Sequence, residues 1–250
     1  VLIDFRCPKD GGALTELRCQ VCGHQYQTVA GQPVLIDFER SIVDEADFFA
    51  RSGGGFRTDR EGKSALKRFL WGRADAPGPA AEWISKHIPG GLVLVVGGGV
   101  KGAGFEKLVG VEIVAFDIFP TENTSFVADG HSIPIPDESV DAVWIQAVLE
   151  HVLEPERVVE EIRRVLKPGG IVYADTPFMQ PVHEGAYDFT RFSHSGHRWL
   201  FRHFDEVRSG VSVGPGRAAV LAMRHAFTAL FRSRKAGSLI ALSLFWLRFI

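Results

Sequence analysis

Three cysteines, Cys7, Cys19 and Cys22, are all that this 250-residue chain contains, and none follows position 22. An odd set crowded into one end does not build a disulfide framework; it points to a metal site in a reducing compartment. Acidic and basic residues nearly cancel, leaving a formal charge of −2, so no strong signal for nucleic-acid binding stands out. No apolar run reaches the roughly 20 residues that span a bilayer. The most apolar stretch, 236–250 (AGSLIALSLFWLRFI), reads as a packing helix, with membrane-surface contact and a span continued beyond the chain as alternatives. A leader is not visible: Val1–Ile3 are followed at once by Asp4 and Arg6, while the missing initiator Met leaves the native start open. Tyrosine is scarce, and none of Tyr26, Tyr173 and Tyr187 has a lysine four residues on. That removes the Tyr-x-x-x-Lys pair of short-chain dehydrogenases.

What is present divides into three parts. Residues 1–38 alternate short apolar runs with glycine-rich knuckles, the pattern of a small β ribbon. Residues 39–76 are charged and glycine-rich, with one helical patch at Ala65–Leu70, and read as a linker or lid. Residues 77–250 read as an α/β domain. Pro77-Gly78-Pro79 opens a helix carrying Trp83, Ile84, His87 and Ile88. Leu92–Val96 is a continuous apolar run, as expected for a strand buried on both faces. Ile113–Phe116, Phe126–Ala128 and Val140–Ile145 follow, then a helix from Pro155 with Val158, Val159, Ile162, Val165 and Leu166 at helical spacing. Lys167–Gly170 stops that helix before a strand at Ile171–Asp175. This rhythm predicts a doubly wound, Rossmann-like parallel sheet with its ligand site at the carboxyl ends of the strands. Gly97, Asp117, Asp129 and Gln146 each follow a strand directly. Beyond it, 207–213 is a candidate sixth strand, 217–250 looks helical, and no seventh strand is visible.

The run Gly97-Gly98-Gly99-Val100-Lys101-Gly102 satisfies G-x-G-x-x-G, with Asp117 about 20 residues from its start. Glycines there let the backbone turn sharply and approach a ligand closely. Nicotinamide and S-adenosylmethionine pockets both use such a loop. Asp129-Gly130, the run DESVDAVWIQAVLEHV (137–152) and the closing LKPGG (166–170) separate the two.

With these motifs residues 92–175 resemble the core of class I S-adenosylmethionine-dependent methyltransferases, in the branch of small-molecule and ubiquinone-pathway enzymes. The resemblance implies a seven-stranded-type methyltransferase sheet and S-adenosylmethionine as cofactor. It also implies that Gly97, Gly98 and Gly99 hold the methionine moiety, Asp117 with Ile118 the ribose, Asp129 and Gly130 the adenine, and that Gln146 lines the floor. The Glu150–His151 pair would shape the pocket. Two departures stand out: Val95 occupies the place of a common acidic residue, and the loop spacing is irregular. A seventh strand missing from the pattern would mean that the native C-terminus lies beyond residue 250.

Cys19-x-x-Cys22-Gly is a zinc knuckle, and its partner is Cys7-Pro8-Lys9-Asp10. Cys7, Asp10, Cys19 and Cys22 form the candidate metal set, with His24 as the alternative fourth ligand. The segment resembles zinc-ribbon modules that precede some methyltransferases and the adaptor subunits of tRNA methyltransferases. A structural zinc and a metal-free ribbon both fit it.

Residues 178–201 (FMQPVHEGAYDFTRFSHSGHRWLF) follow the fifth strand at the mouth of the expected pocket. Histidine titrates near neutrality and suits a general base for a hydroxyl acceptor. His183 is the first candidate, and His183, His194 and His197 as metal ligands are the alternative. The expected protein is a cytoplasmic O-methyltransferase of a small molecule or glycan, with peripheral membrane contact and a homodimer left open. Methylation of RNA or protein, and a non-catalytic scaffold, are the competing readings.

Overall fold

The computed structural model describes residues 3–52, 77–99, 104–183, 187–212, 214–244 and 246–247. The helical patch at 65–70, the end of the glycine loop at 100–102 and Glu184 lie outside them.

Four strands build the N-terminal module: β1 (Leu14–Thr15), β2 (Arg18–Cys19), β3 (Thr28–Val29) and β4 (Gln32–Leu35). Helix α1 (Glu45–Ser52) follows, inside the segment expected to be linker or lid. Its Phe48 is fully buried beside Phe38 and Phe119. Then come α2 (Gly78–His87), β5 (Leu92–Val96), β6 (Glu112–Asp117), β7 (Phe126–Ala128), β8 (Val140–Gln146), α3 (Pro155–Val165) and β9 (Leu166–Asp175). Among the described residues three helices follow: α4 (His194–Leu200), α5 (Pro215–Leu230) and α6 (Arg234–Ser243).

The main sheet runs β3-β4-β7-β6-β5-β8-β9, and every neighbouring pair except β3–β4 is parallel. Alternation along the central strands sorts their side chains to two covered faces. Leu94, Val96, Val143 and Ile145 share one core with Val158, Ile162 and Val165 of α3. Val93, Val95, Ala142 and Trp144 face the other way and share a core with Ala81 and Ile84 of α2. Val95 is thus a packing residue, buried to 1% exposure.

Helix α3 forms because Pro155 pre-sets its first turn and its apolar residues fall on one side. Arg163 and Arg164 in its last turn suit the helix dipole. Arg164 also reaches the carbonyls of Ile133 (2.6 Å) and Ile135 (2.8 Å) and the carboxylates of Glu161 and Asp137. It thereby ties α3 to the chain leaving β7. The strand after α3 starts earlier than its sequence suggests: β9 takes in Lys167–Gly170, with a register break between Val140 and Ala142 absorbing the irregularity.

Two sequence expectations require correction. Residues 207–212 form no strand; Val207 and Val211 are exposed, so no apolar face drives them onto the sheet. The two strands that complete the seven-stranded sheet, β3 and β4, come instead from the N-terminal module. β4 pairs in parallel with the edge of β7, Val34 opposite Val127 and Leu35 opposite Ala128. The ribbon also packs on the sheet face: Cys7, Cys19 and Tyr26 belong to the same core as Phe116 and Phe126. Phe5 meets Phe126 edge to face at 5.1 Å.

Candidate functional site

The carboxyl ends of β5, β6, β7, β8 and β9 carry the expected residues. Leaving β5, Gly97 takes φ +74°, and the N–H groups of Gly97 and Gly98 both donate to the Phe116 carbonyl at 3.0 Å. A Cβ on Gly97 would stand 2.2 Å from Val148, and one on Gly99 2.6 Å from the Asp117 carboxylate. Only glycine fits this cradle. Asp117 accepts from the Gly99 N–H at 3.1 Å and from the Phe119 N–H at 3.3 Å. Ile118 turns toward the cluster containing Val34, Phe48 and Val127.

Asp129, at the end of β7, accepts from the Ser41 hydroxyl at 2.6 Å and from the His131 N–H at 3.0 Å. Its Oδ1 also lies 2.5 Å from His131 Nδ1. Burial pushes this carboxyl up, but the hydrogen bonds from His131 and Ser41 outweigh it and hold it below the ordinary aspartate value. Gly130 is looser: an added Cβ would meet Val158 at an ordinary 3.4 Å. Ser41 has no sequence signature of its own, and only the docking of the N-terminal module brings it here.

Gln146 ends β8 at 6% exposure. Its amide donates to Asp175 at 3.1 Å, while its Oε1 is buried without a hydrogen-bond partner. A buried acceptor left open is costly unless a ligand supplies the donor. Ala147 follows with φ +54°, a strained left-handed turn of the kind that clusters at functional sites. S-adenosylmethionine presents donors: an ammonium group, ribose hydroxyls and an adenine amino group. The acceptors offered here, Asp117, Asp129 and Gln146 Oε1, match that inventory.

Next to these ends lies a histidine cluster. His183 Nε2 is 3.0 Å from His151 Nε2, and His183 Nδ1 is 3.3 Å from Asp188. Asp188 is gripped through both carboxylate oxygens by Arg191, which holds its carboxyl well below the usual range. The Glu150 carbonyl accepts from Phe189 (2.8 Å) and Thr190 (3.3 Å), and His151 Nδ1 lies 2.5 Å from the Tyr187 carbonyl. The Glu150–His151 turn therefore staples the loop that presents His183. Ligand atoms of Glu150, His151 and His183 all lie within 4.8 Å of one another and could hold a cation. His194 and His197 do not join them in any metal-competent group among the described residues. His197 instead lies 3.3 Å from the Thr176 hydroxyl, and burial lowers its pKa. His151 and Asp188 are thus the partners of His183, found only through the fold.

In the ribbon, ligand atoms of Cys7, Asp10, Cys19 and Cys22 gather within 4.8 Å of one another. Cys7 Sγ and Cys22 Sγ are 3.8 Å apart, and Cys19 Sγ is 3.2 Å from Asp10 Oδ1. Four ligands around a zinc ion, with Zn–S near 2.3 Å, would place sulfur atoms about 3.8 Å apart. Tyr26 lies behind them, its hydroxyl 3.0 Å from Cys7 Sγ, as an outer partner orienting a ligand would. His24 stands outside the set and packs its ring on Tyr26.

Residues 94–174 match a family model described as a methyltransferase domain. The chain is similar to the uncharacterized methyltransferase Rv3342 of Mycobacterium tuberculosis, 32% identical over 123 residues, 43% of this chain and 48% of that one. It is also similar to the ubiquinone/menaquinone biosynthesis C-methyltransferase UbiE of Hahella chejuensis, 36% identical over 75 residues, 29% of this chain and 30% of that one. Among solved structures, the complex of the Haloferax volcanii Trm112 methyltransferase activator with a methyltransferase includes a similar chain. It is 27% identical, with a TM-score of 0.43, over 65% of this chain and 76% of that one. The chain spans about half the length of the first curated relatives it matches.

Proposed function

We propose that this methyltransferase domain moves a methyl group from S-adenosylmethionine to a hydroxyl of a small molecule, sugar or glycan. The supporting observation is the convergence of Gly97–Gly99, Asp117, Asp129 and the open acceptor of Gln146 at one edge of the sheet. When bound, the cofactor supplies an electrophilic methyl carbon. The protein itself orients both partners and takes up the proton that the acceptor hydroxyl releases. His183 is suited to receive that proton: its main-chain N–H donates to Asp188 at 2.9 Å, its Nδ1 lies 3.3 Å from the same carboxylate, and Arg191 fixes Asp188.

The ribbon enters this reading as a structural zinc module held by Cys7, Asp10, Cys19 and Cys22. Cys7 and Cys19 sit in the core shared with the sheet, which supports a part of the fold rather than an arm for RNA or protein substrates. Some curated relatives are named as C-methyltransferases, so a carbon acceptor is the competing chemistry.

Calorimetric titration with S-adenosylmethionine tests the cofactor half of the reading: no heat at millimolar cofactor would overturn it. Labelled methyl transfer onto saccharide, phenol, quinol and RNA pools tests the acceptor half. In the phenol and quinol pools, label stable to cleavage of methyl ethers would assign a carbon acceptor instead.

A further inference from the structure

We propose that the C-terminal helical hairpin of α5 and α6 seats the protein on an anionic lipid bilayer surface. This reading stands independently of the methyl transfer proposed above.

Charge along the chain is sharply divided. From Val207 to Ile250 there is no aspartate or glutamate, while Arg208, Arg217, Arg224, Arg232, Arg234, Lys235 and Arg248 are all basic. Because the whole chain carries −2, residues 1–206 carry a formal −9. An anionic surface would repel the body and attract only this segment, which sets the orientation of docking.

The hairpin's packing shows which face is left over. Gly237 in α6 approaches α5 so closely that a Cβ would stand 2.0 Å from Thr228 Oγ1, and Ala241, one turn on, is 1% exposed. Small residues therefore form the inner side. On the outer side, Lys235, Leu239, Leu242 and Trp246 follow one another at helical spacing, and all four are exposed. Leu239 is 68% and Trp246 59% exposed. At the connecting turn, Leu230 and Phe231 are exposed beside Arg232. Apolar side chains with lysine and arginine at their margin, on helices too short to cross, are the composition of an interfacial element. Among the described residues no helix is long and apolar enough to cross a membrane.

Position adds to the chemistry. Ser212, three residues before α5, donates to Asp175 at 2.8 Å, at the carboxyl end of β9. The hairpin therefore begins at the rim of the candidate site, and a docked hairpin brings that rim to the lipid surface.

The test is co-sedimentation of the full chain with two vesicle types, phosphatidylcholine alone and phosphatidylcholine with about 30% phosphatidylglycerol. Binding to the anionic vesicles is expected to exceed binding to the neutral ones at least about tenfold in about 0.1 M salt, and to fall in about 1 M salt. R232E/K235E and, separately, L239S/L242S should each lose most of that binding while keeping the parent's circular dichroism melt. Equal binding to both vesicle types would overturn the proposal, and so would absence of binding at low salt. A doubled mass in sedimentation that L239S/L242S returns to monomer, without vesicle binding, would give this face to a second copy of the chain and overturn it too.

Discussion

The hydroxyl of Ser41 lies 2.6 Å from Asp129 Oδ2, linking the N-terminal segment to the carboxylate proposed to receive the adenine amino group. Removing the segment that carries Ser41 would leave Asp129 without this partner.

Ser41→Ala should therefore weaken S-adenosylmethionine binding several-fold and cost about 1–2 kcal/mol of stability at neutral pH. The folded pKa of Asp129 is depressed, and its unfolded value is near 3.9. Its contribution is complete above the unfolded value and is lost as pH falls through the folded one. Urea unfolding of parent and variant at neutral pH and near pH 3 checks this: the difference should shrink in acid. An undiminished difference would mean that the bond does not depend on the charge.

Gly97 and Gly130 should separate fold from ligand. Gly97→Ala forces an L residue to φ +74° against Val148, at a cost of at least about 2 kcal/mol. Gly130→Ala meets only an ordinary contact, so its thermal midpoint should stay near the parent's. If Gly130 lines the adenine pocket, cofactor affinity alone should fall. Thermal melts with and without cofactor read both effects, and unchanged affinity in Gly130→Ala would remove that residue from the site.

His183→Gln should lower kcat by about 10²- to 10⁴-fold if it accepts the proton. Asp188→Asn should lower kcat less, and should leave cofactor affinity untouched. A kcat for His183→Gln within a few-fold of the parent would remove His183 from the proton-transfer step.

Metal analysis of the purified chain should find one zinc per molecule, and Cys22→Ser should lose most of it. Cys22 is exposed and outside the sheet core, so the variant tests the metal without cutting a cavity. Chelation should lower the thermal midpoint of the parent and barely move that of Cys22→Ser. Full-length protein with no bound metal and no response to chelator would leave the ribbon as a metal-free module.

Much of the core was legible because its signals are local. Leu92–Val96 reads as a buried strand from its composition, and Gly97, Asp117, Asp129 and Gln146 follow their strands in the chain itself. The cysteine set was legible for the same reason, through its short spacing, and the structure gathers the four ligand atoms. Relationships across long separations were not legible. Nothing in the four residues Gln32–Leu35 announces that they lie beside Phe126–Ala128, since the pairing is made by main-chain groups. Ser41 over Asp129 and His151 against His183 depend on that docking and on the loop after β9. The strand expected at 207–213 failed because alternating valines give the pattern of a strand without any surface to cover.

The pairing of β4 with β7 bears on how this protein can be divided. β7 is three apolar residues, Phe-Val-Ala, all buried, and without β4 it would be the open border of the sheet. A fragment beginning at residue 77 would present unpaired main-chain donors and acceptors along that border, an invitation to self-association. The same geometry carries a constructive possibility. Main-chain pairing needs no covalent connection, so residues 1–52 supplied as a separate polypeptide should cap the border and return such a fragment to solution. Yield of soluble protein from co-expression, against the fragment alone, measures that complementation.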